Sequence, residues 1–308
     1  MKRILRILLI ALFLYGVWYV GSFAWDISGI FRDRDKDYEF VDDYDDEIPQ
    51  PPDTAADNLA DPNYIADPDR LNILLIGVDS PAPGSRRSPL SDTIILFSLH
   101  KTDGQPVLLS IPRDTYVYIP GRGNDKINHS HAFGGAALLR QAVGGFTDLP
   151  IDYYMRVDFE GFKAIVDKLG GVDMYVDRDI PELGLYKGQQ ILDGNKALAY
   201  VRDRNTAGDY GRIDRQQRFL VAIMRQVQAQ PFTQFSPVIR EGAKHIDTDM
   251  PILTLLDFAR EFWNYNPDKA LRYVIPGSPF YHNEIYYLRP DIDAAREFIN
   301  ENLKVPRQ

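Results

Sequence analysis

The segment LNILLIGVD at residues 71–79 decides the fold class. It is a short apolar run that ends in Gly77 and Asp79, and this pattern predicts a buried β-strand with a polar end. Two further runs, TIILFSLH at residues 93–100 and PVLLSIP at residues 106–112, predict the next strands. The KTDGQ turn between them contains an Asp-Gly pair, which is a strong hairpin signal. The folded part of the chain is therefore expected to begin with a set of buried strands.

Helical patterns alternate with further strands downstream. Asp193 is a good N-cap for the helix that follows it, and glycines at the ends of two other segments predict helix stops. The predicted helices are GGAALLRQAVGG (134–145), FEGFKAIVDKLGG (159–171), GNKALAYVRDR (194–204), GRIDRQQRFLVAIMRQVQAQ (211–230) and PILTLLDFAREFW (251–263). The predicted later strands are YYMRVD (153–158), VDMYV (172–176) and LRYVIPG (271–277). This alternation predicts an α/β fold, a layered α-β-α domain with a central mixed sheet.

The N-terminal segment has the features of a membrane anchor. Three basic residues, Lys2, Arg3 and Arg6, precede an uncharged run at residues 7–25. As a helix this run would measure roughly 28 Å, against about 30 Å for the apolar core of a bilayer. Because basic residues precede the run and acidic ones follow it, the N-terminus is expected in the cytoplasm and the rest outside. We expect an uncleaved, single-pass signal anchor at residues 1–25, with a cleaved signal peptide as the alternative.

The acidity of the chain is concentrated in residues 26–70. The whole sequence has a formal net charge of −9, and this segment alone holds 15 Asp and Glu against 4 Lys and Arg. Strong self-repulsion and several prolines predict a disordered acidic linker. Residues 71–308 are then nearly neutral and have no basic stripe of the kind that binds nucleic acid. The absence of cysteine excludes disulfides and thiolate chemistry.

Arginines are concentrated in one stretch, YVRDRNTAGDYGRIDRQQR. They are Arg202, Arg204, Arg212, Arg215 and Arg218. One interpretation is a solvated helix face with ion pairs three or four residues apart. However, AGDYG is predicted to break the chain between two helices, so that the arginines would converge from a loop and a helix start. Planar guanidinium groups and helix N-termini both suit phosphate oxygens.

Two aspartates lie at predicted strand ends. Asp79 follows the strand that opens the domain, and Asp92 precedes the next one. Ligands of open α/β sheets bind at the carboxyl ends of strands, where carboxylates can hold Mg²⁺ together with phosphate and water. Each aspartate alone is more commonly a cap or turn residue, and the arginine cluster is what favours a site. The sequence has no GxSxG, HExxH or Walker motif, and His129 and His131 without a third partner are weak support for a metal.

Seven segments between about residues 71 and 230 occur in a distinctive order. They are NILLIGVDS, SDTIILFSL, LLSIPRDTYVYIPG, DKINHSHAFGG, DYYMRVDFEGFKAIVDKLGGV, LDGNKALAYVRDR and DYGRIDRQQR. In order and spacing they resemble the LytR–CpsA–Psr family, and the single N-terminal anchor also fits. The resemblance implies an extracytoplasmic phosphotransferase of the bacterial cell membrane. It would move a glycopolymer, such as teichoic acid or capsule, from a polyprenyl-pyrophosphate carrier to peptidoglycan.

The resemblance also implies roles for individual residues. Those that match the pyrophosphate-binding positions are Arg113, Arg202, Arg204, Arg212 and Gln216, with Arg87 and Arg215 as further candidates. Those that match the carboxylates around Mg²⁺, or Mn²⁺ in its place, are Asp79, Asp92 and Asp209. One position departs from the family, which often has an arginine directly before SDT. Here Leu90 stands there, and Arg86 or Arg87 would have to supply the contact from a longer loop.

Phosphoryl transfer depends on positioning and charge neutralisation more than on covalent chemistry, and the implied residues suit it. The predicted catalytic residues are Asp79, Asp92, Arg113, Arg202 and Arg204, with Asp79 or Asp92 orienting or deprotonating the acceptor hydroxyl. The helices FLVAIMRQV and FEGFKAIVDKL are candidates to line a slot for the lipid. Two alternatives stay open: a polyprenyl-pyrophosphate hydrolase with the same site, and a non-enzymatic lipid-phosphate-binding regulatory module.

Overall fold

The computed structural model describes residues 58–79, 89–101, 105–204, 208–229, 236–262 and 265–307. The predicted anchor at residues 1–25, most of the predicted linker, and Arg86 and Arg87 lie outside these ranges. Within them, none of the helices combines the length and the apolar character needed to span a bilayer.

The described chain contains fourteen strands and seven α-helices. The strands are β1 (Tyr64–Ala66), β2 (Arg70–Val78), β3 (Ser91–His100), β4 (Val107–Ser110), β5 (Tyr116–Ile119), β6 (Gly123–Lys126), β7 (Tyr153–Asp158), β8 (Val172–Val176), β9 (Gly188–Leu192), β10 (Ile246–Thr248), β11 (Leu271–Val274), β12 (Gly277–His282), β13 (Ile285–Pro290) and β14 (Lys304–Pro306). The helices are α1 (His129–Thr147), α2 (Phe159–Lys168), α3 (Gly194–Arg202), α4 (Gly208–Gln228), α5 (Ser236–His245), α6 (Ile252–Phe262) and α7 (Ile292–Leu303).

A mixed six-stranded sheet forms the centre of the domain, in the order β10-β7-β2-β3-β4-β11. The pairs β2/β7 and β4/β11 are parallel, whereas β3 is antiparallel to both of its neighbours and β10 is antiparallel to β7. Consequently β2, β4, β7 and β11 all run in one direction. The prediction of an α/β fold with a central mixed sheet is confirmed.

Helices cover both faces of this sheet, as the layered prediction requires. Alternate residues of β2 point to opposite faces: Leu74 and Ile76 belong to the core shared with α1 and α7, whereas Ile73 packs with α4 and α6. A third core joins β8 and β9 to α2, α3 and α4, with Val172 and Phe219 among its buried members. This third core forms one wall of the site described below.

The folded domain includes residues that were predicted to be linker. Leu59 is fully buried, and its backbone N–H donates to the carbonyl oxygen of Phe146 at 2.8 Å. β1 then pairs antiparallel with β14 near the other end of the chain. Asp61 and Asp67 accept hydrogen bonds from backbone N–H groups two residues later, so their charge serves local turns. Residues 58–70 therefore belong to the folded domain, and the predicted linker boundary at residue 70 is wrong for them. The acidic composition of this segment suggested a disordered linker, although it contains the short strand β1.

Helix α1 is longer than predicted and is kinked. Gly134 and Gly135 lie inside it with non-helical dihedral angles, and Gly135 has a positive φ of 61°. The predicted stop at Gly144 and Gly145 is wrong, since the helix continues to residue 147 and ends at Asp148 in the left-handed region. Gly144 instead permits close packing, because an added Cβ would lie 3.3 Å from the carbonyl oxygen of Leu149.

Stability should depend on pH through the buried His131. Its Nδ1–H donates to the carbonyl oxygen of Pro89 at 2.6 Å, and burial lowers the pKa of the imidazole to about 4. The unfolded chain, with a pKa of about 6.5, takes up the proton first, so this contribution is complete above that value and is lost as the pH falls towards 4. We expect the free energy of unfolding to fall by about 2 kcal/mol between pH 7 and pH 5 from this group.

The measurement is urea unfolding of the wild type and of His131→Gln at both pH values. Glutamine keeps a donor for the Pro89 carbonyl but does not titrate. The variant should therefore show a smaller loss of stability on acidification. An unchanged loss would show that other groups account for the acid sensitivity.

Candidate active site

The four parallel strands of the sheet end at one edge. The residues that follow β2, β4, β7 and β11 are Asp79, Ile111, Phe159 and Ile275, and β3, which runs the other way, begins there with Ser91. In open α/β sheets this carboxyl edge is where ligands bind. Asp79 lies at this edge, exposed to solvent, as the sequence predicted.

A β-bulge places Asp92. Gly77 pairs with Thr93 and Val78 pairs with Ser91, so Asp92 has no partner in the register of β2 and β3. Bulges twist a strand and redirect the side chain of the extra residue. Gly77 allows the strands to approach, because a Cβ there would lie 2.9 Å from the Cβ of Thr93. The structure thus includes Asp92 in β3, where the sequence predicted it just before the strand.

Arg113 follows β4 and lies beside Asp92. Its Nη1 is 2.5 Å from Oδ1 of Asp92, and its Nε is 3.4 Å from Oδ2 of Asp114. Asp114 also lies 2.8 Å from Nζ of Lys126. Burial lowers the pKa of the Arg113 guanidinium, but the hydrogen bond and charge of Asp92, with the charges of Asp114 and Asp209, raise it above its ordinary value overall. Asp114 therefore helps to hold Arg113 in place in its charged form.

Arg212 and Asp209 lie in the first turns of α4. This helix begins at Gly208, so most of the predicted break at AGDYG is helical. Nη2 of Arg212 is 2.8 Å from Oδ1 of Asp209, and the arginine side chain is only 3% exposed. Burial lowers the pKa of Arg212, Asp209 partly offsets this, and the charges of Arg113 and Arg204 lower it further. The three arginines therefore act on one another as one positively charged cluster.

The Nε of Arg212 is buried and has no hydrogen-bond partner among the described residues. A buried guanidinium N–H without an acceptor is costly in the ligand-free state. An anionic oxygen bound beside it would remove that cost. This donor is therefore available to an anion bound in the cavity.

The other predicted phosphate ligands surround the same opening. Arg202 ends α3, and its guanidinium carbon lies 4.1 Å from the ring centroid of Phe159. Arg204 follows on the connecting loop and is exposed. Gln216 donates from Nε2 to the carbonyl oxygen of Val201 at 3.3 Å. All three predicted residues line one cavity together with Arg212 and Asp92, and Arg113 contacts this lining through Asp92.

Arg215 does not belong to this site. It is 1% exposed, donates to the backbone carbonyl oxygen of Asp203, and has its Nη2 3.3 Å from the Asp203 carboxylate. Its guanidinium carbon also lies 6.0 Å from the ring centroid of Tyr200. The structure assigns it to the junction of α3 and α4, so the prediction that it binds pyrophosphate is not supported by its position.

A cavity of about 840 Å³ extends from the arginines into the domain. Apart from this polar end its walls are mostly apolar. The apolar residues that the helices contribute to the lining include Phe159, Phe162, Ile165, Val166, Leu198, Ala199, Val201, Phe219, Leu220 and Ile223. The prediction that α2 and α4 line an apolar slot is confirmed. A charged mouth on an apolar cavity suits a ligand with an anionic head and a hydrocarbon tail.

The three predicted metal ligands do not form a preassembled cage. Asp92 and Asp209 each contact an arginine, and Asp79 stands at the strand end. Within the described ranges, their carboxylate oxygens do not all lie within 4.8 Å of one another. Their oxygen donors still suit Mg²⁺, which is usually held by one or two carboxylates together with substrate phosphates and water.

The structure brings together a different group that the sequence did not suggest. Ligand atoms of Asp67, Asp69 and His100 lie within 4.8 Å of one another, at the opposite end of β2 and β3 from the arginines. Nε of Arg70 is 3.7 Å from Oδ2 of Asp67, and Nε2 of His100 is 3.6 Å from the same atom. Arg70 and His100 already contact that carboxylate, so no metal is assigned there.

Sequence reasoning also missed Arg156. This residue of β7 lines the cavity, and its Nη2 is 2.8 Å from Oδ2 of Asp247 in β10. The signal in the sequence that could have identified Arg156 is its position inside the strand pattern YYMRVD, where an arginine is unusual. Leu90, which stands where the family often has arginine, is 41% exposed directly before β3.

Fold and site together define an α/β protein with an apolar cavity that opens among arginines at the carboxyl edge of its sheet. The chain belongs to the LytR–CpsA–Psr family, whose model, described as the LytR_cpsA_psr family, matches residues 42–304. It is 29% identical to the polyisoprenyl-teichoic acid–peptidoglycan teichoic acid transferase TagU of Enterococcus faecalis, over 94% of this chain and 93% of that one. The protein is thus an enzyme of a family that transfers glycopolymers.

Solved structures agree with this assignment. TagV of B. subtilis is similar with a TM-score of 0.69 and 29% identity, over 77% of this chain and 98% of that one. TagT bound to LIIa-WTA is similar with a TM-score of 0.66 and 27% identity, over 77% of this chain and 91% of that one. The layered fold is therefore that of the family.

Arg215, which is buried at the junction of α3 and α4, and Arg113, which lies in the site, should respond differently to substitution. Arg215→Ala removes the guanidinium partner of an Asp203 side chain that is itself 4% exposed, and should lower the free energy of unfolding by about 3–5 kcal/mol. Arg113→Ala affects partly exposed carboxylates and should cost about 1 kcal/mol or less, but should abolish transfer. Urea unfolding and a transfer assay distinguish them. Equal destabilisation by both substitutions would contradict the assignment of Arg113 to the site.

Proposed function

We propose that this protein moves a glycopolymer from a polyprenyl-pyrophosphate carrier to a sugar hydroxyl of peptidoglycan. The observation that supports this most strongly is the arginine cluster at the mouth of an apolar cavity of about 840 Å³. Neither half of the site alone would select such a carrier. Together they match a molecule whose pyrophosphate joins a polar polymer to a long hydrocarbon.

The arginines would bind the two phosphates. Arg113, Arg204 and Arg212 act on one another electrostatically, and the orphaned Nε of Arg212 offers a donor inside the protein. Planar guanidinium groups can donate two parallel hydrogen bonds to phosphate oxygens. As the phosphates bind, they compete with Asp92 for Arg113 and with Asp209 for Arg212. The carboxylates that stabilise the empty cluster would then become free for other roles.

Those freed carboxylates suit both proton transfer and a metal. Asp92, or Asp79 beside it at the strand ends, would accept the proton of the acceptor hydroxyl. Mg²⁺, or Mn²⁺, held by Asp79, Asp92 and Asp209 together with the substrate phosphates would supply further neutralisation of the pyrophosphate charge.

The reaction is a displacement at phosphorus. The acceptor oxygen forms a bond to the phosphorus that bears the polymer, and the bond from that phosphorus to the bridging oxygen breaks. Polyprenyl monophosphate leaves, and the proton of the hydroxyl passes to the carboxylate. Arg113, Arg202 and Arg204 stabilise the charge on the phosphoryl group and the leaving phosphate.

The apolar cavity would hold the part of the polyprenyl chain next to the pyrophosphate. Each buried methylene contributes about 0.8 kcal/mol of transfer free energy, so even a short stretch of chain binds appreciably. The uncharged run at residues 7–25 supports a membrane anchor with the catalytic domain outside the cell. Such an anchor would keep the enzyme at the bilayer that contains its lipid substrate.

Transfer should require both the acceptor and a divalent ion. Full-chain protein with lipid-linked polymer, Mg²⁺ and peptidoglycan strands should form a phosphodiester-linked product and polyprenyl monophosphate. Chelation by EDTA should reduce this by at least about a hundredfold, because the uncompensated charge of the pyrophosphate would then oppose attack. Mass spectrometry of the products measures both yields.

The same assay without an acceptor tests the hydrolase alternative. If water attacks as fast as the sugar hydroxyl, the protein is a polyprenyl-pyrophosphate hydrolase and the proposed acceptor is wrong. An Asp92→Asn variant that folds and transfers at the wild-type rate would exclude Asp92 as the base and leave Asp79.

Filling the cavity should discriminate between donors by chain length. Ile223→Trp places a larger ring in the wall of the slot and should raise KM for a long polyprenyl donor about tenfold, with a much smaller effect on a ten-carbon donor. The matched control is Leu253→Trp on the exposed surface of α6, where the side chain is 66% exposed. Equal effects of Ile223→Trp on both donors would show that the lipid binds elsewhere.

A further inference from the structure

Exposed tyrosines lie on the other side of the arginine cluster from the cavity. The cavity is lined by the ends of β2, β3 and β7, whereas Arg113 follows β4 and the β12–β13 hairpin follows β11. In the sheet order β7-β2-β3-β4-β11, the hairpin and the cavity therefore flank Arg113 from opposite sides. A substrate held in the cavity leaves the hairpin side open for a second reactant.

The hairpin has one packed face and one free face. Phe280 and Tyr287 pair across the strands and pack on Tyr116, with ring centroids 5.3 and 5.4 Å from it. The next pair, Tyr281 and Tyr286, points to the opposite face, with centroids 5.7 Å apart and rings at 73°. Phe280 and Tyr287 therefore pack against the domain, as does Leu288 at 4% exposed. The free face is confined to the rings of Tyr281 and Tyr286 near the tip of the hairpin.

The free face is strongly exposed. Tyr281 is 70% exposed and Tyr286 is 39% exposed, and Tyr210 at the start of α4 is 42% exposed. Aromatic side chains of this size are usually packed, and exposed ones grouped next to a reactive site commonly contact a ligand. We refer to Tyr210, Tyr281 and Tyr286 as the tyrosine platform.

The tyrosine platform adjoins the charged cluster. Tyr210 is next to Asp209 in sequence and lies near the backbone of Gly277, where the hairpin begins. Nζ of Lys126, which lies 2.8 Å from Asp114, is 5.9 Å from the ring centroid of Tyr286. The platform is therefore connected to Arg113 through Lys126 and Asp114.

We propose that the tyrosine platform binds the acceptor glycan strand, and this rests on the function proposed above. Sugar rings have apolar C–H faces and polar rims, and tyrosine combines an apolar ring with a hydroxyl, so the two surfaces are complementary. A strand that stacks on Tyr281 and Tyr286 would direct one of its hydroxyl groups towards the phosphorus held by Arg113. The platform residues are positioning residues and take no part in the chemistry.

A membrane surface is the competing occupant, and the sequence of the hairpin disfavours it. The hairpin at residues 277–290 contains Glu284 and a single Lys or Arg, Arg289, whose guanidinium carbon lies 4.8 Å from the ring centroid of Phe280. Segments that lie on anionic lipid are rich in basic residues and in apolar side chains that insert between acyl chains. A glycan that stacks on aromatic rings needs neither feature.

The test uses full-chain protein in detergent micelles and glycan strands released from peptidoglycan, without any lipid-linked donor. The variants are Tyr281→Ala and Tyr286→Ala, and Tyr186→Ala is the control, since Tyr186 is 60% exposed beside β9, away from this edge. We expect the Kd for strands to rise about tenfold in both platform variants and to stay at the wild-type value in the control. Tyr286→Phe keeps the ring and loses only the hydroxyl, so its Kd should rise less than that of Tyr286→Ala.

Kinetics with donor present separate the remaining outcomes. A rise in KM for the acceptor with no change in KM for the lipid donor supports the proposal. A rise in KM for the donor instead would assign the platform to the donor polymer, and lost binding to anionic phospholipid vesicles with intact glycan binding would assign it to the membrane. Wild-type glycan binding in both alanine variants would also overturn the proposal. Failure of the proposed function is distinct from these results, because the wild type would then form no phosphodiester-linked product from donor and acceptor, whereas the strand-binding measurement contains no donor.

Discussion

Mutual repulsion among arginines in one partly buried opening is the constraint on which the site depends. It is visible in Arg212, whose pKa the charges of Arg113 and Arg204 help to lower. Carboxylates offset the repulsion, with Asp92 against Arg113 and Asp209 against Arg212. The long side chains are thereby held in place before any phosphate arrives. Much of the entropy cost of ordering them has been met during folding and does not weaken ligand binding.

The N-terminal end of α1 helps to fix the segments that contain Arg113 and Asp92, the two residues of the ion pair at the centre of the site. The backbone N–H of Asn128, directly before α1, donates to the carbonyl oxygen of Arg113 at 3.2 Å, and His131 in the first turn donates to the carbonyl oxygen of Pro89. Pro89 precedes β3 and therefore Asp92. The two segments that meet at the site are thus attached to the same turn of α1. Because His131 is buried and neutral, this attachment adds no further charge next to the cluster.

Local periodicity predicted five of the six strands of the central sheet, five of the seven described helices and the apolar walls of the cavity, because those features depend on spacing within each segment. It could not assign individual arginines. Gln216 is one helical turn beyond Arg212 and lines the same cavity, whereas Arg215 is rotated by about 60° from that face and pairs with Asp203. Leu59 was missed for a similar reason, since its burial depends on partners far away in the sequence. In each case the deciding contact is tertiary.

The cavity and the arginines contribute differently to turnover. In the proposed reaction the apolar walls would contact the polyprenyl chain equally before and after transfer, so they would provide affinity without lowering the barrier. The arginines would distinguish substrate from product, because a pyrophosphate diester would offer them two phosphates and the departing monophosphate only one. Loss of the second phosphate would leave part of the cluster without its anion, and Asp92 and Asp209 could then return to Arg113 and Arg212. The carboxylates that order the empty site would therefore also favour release of the product.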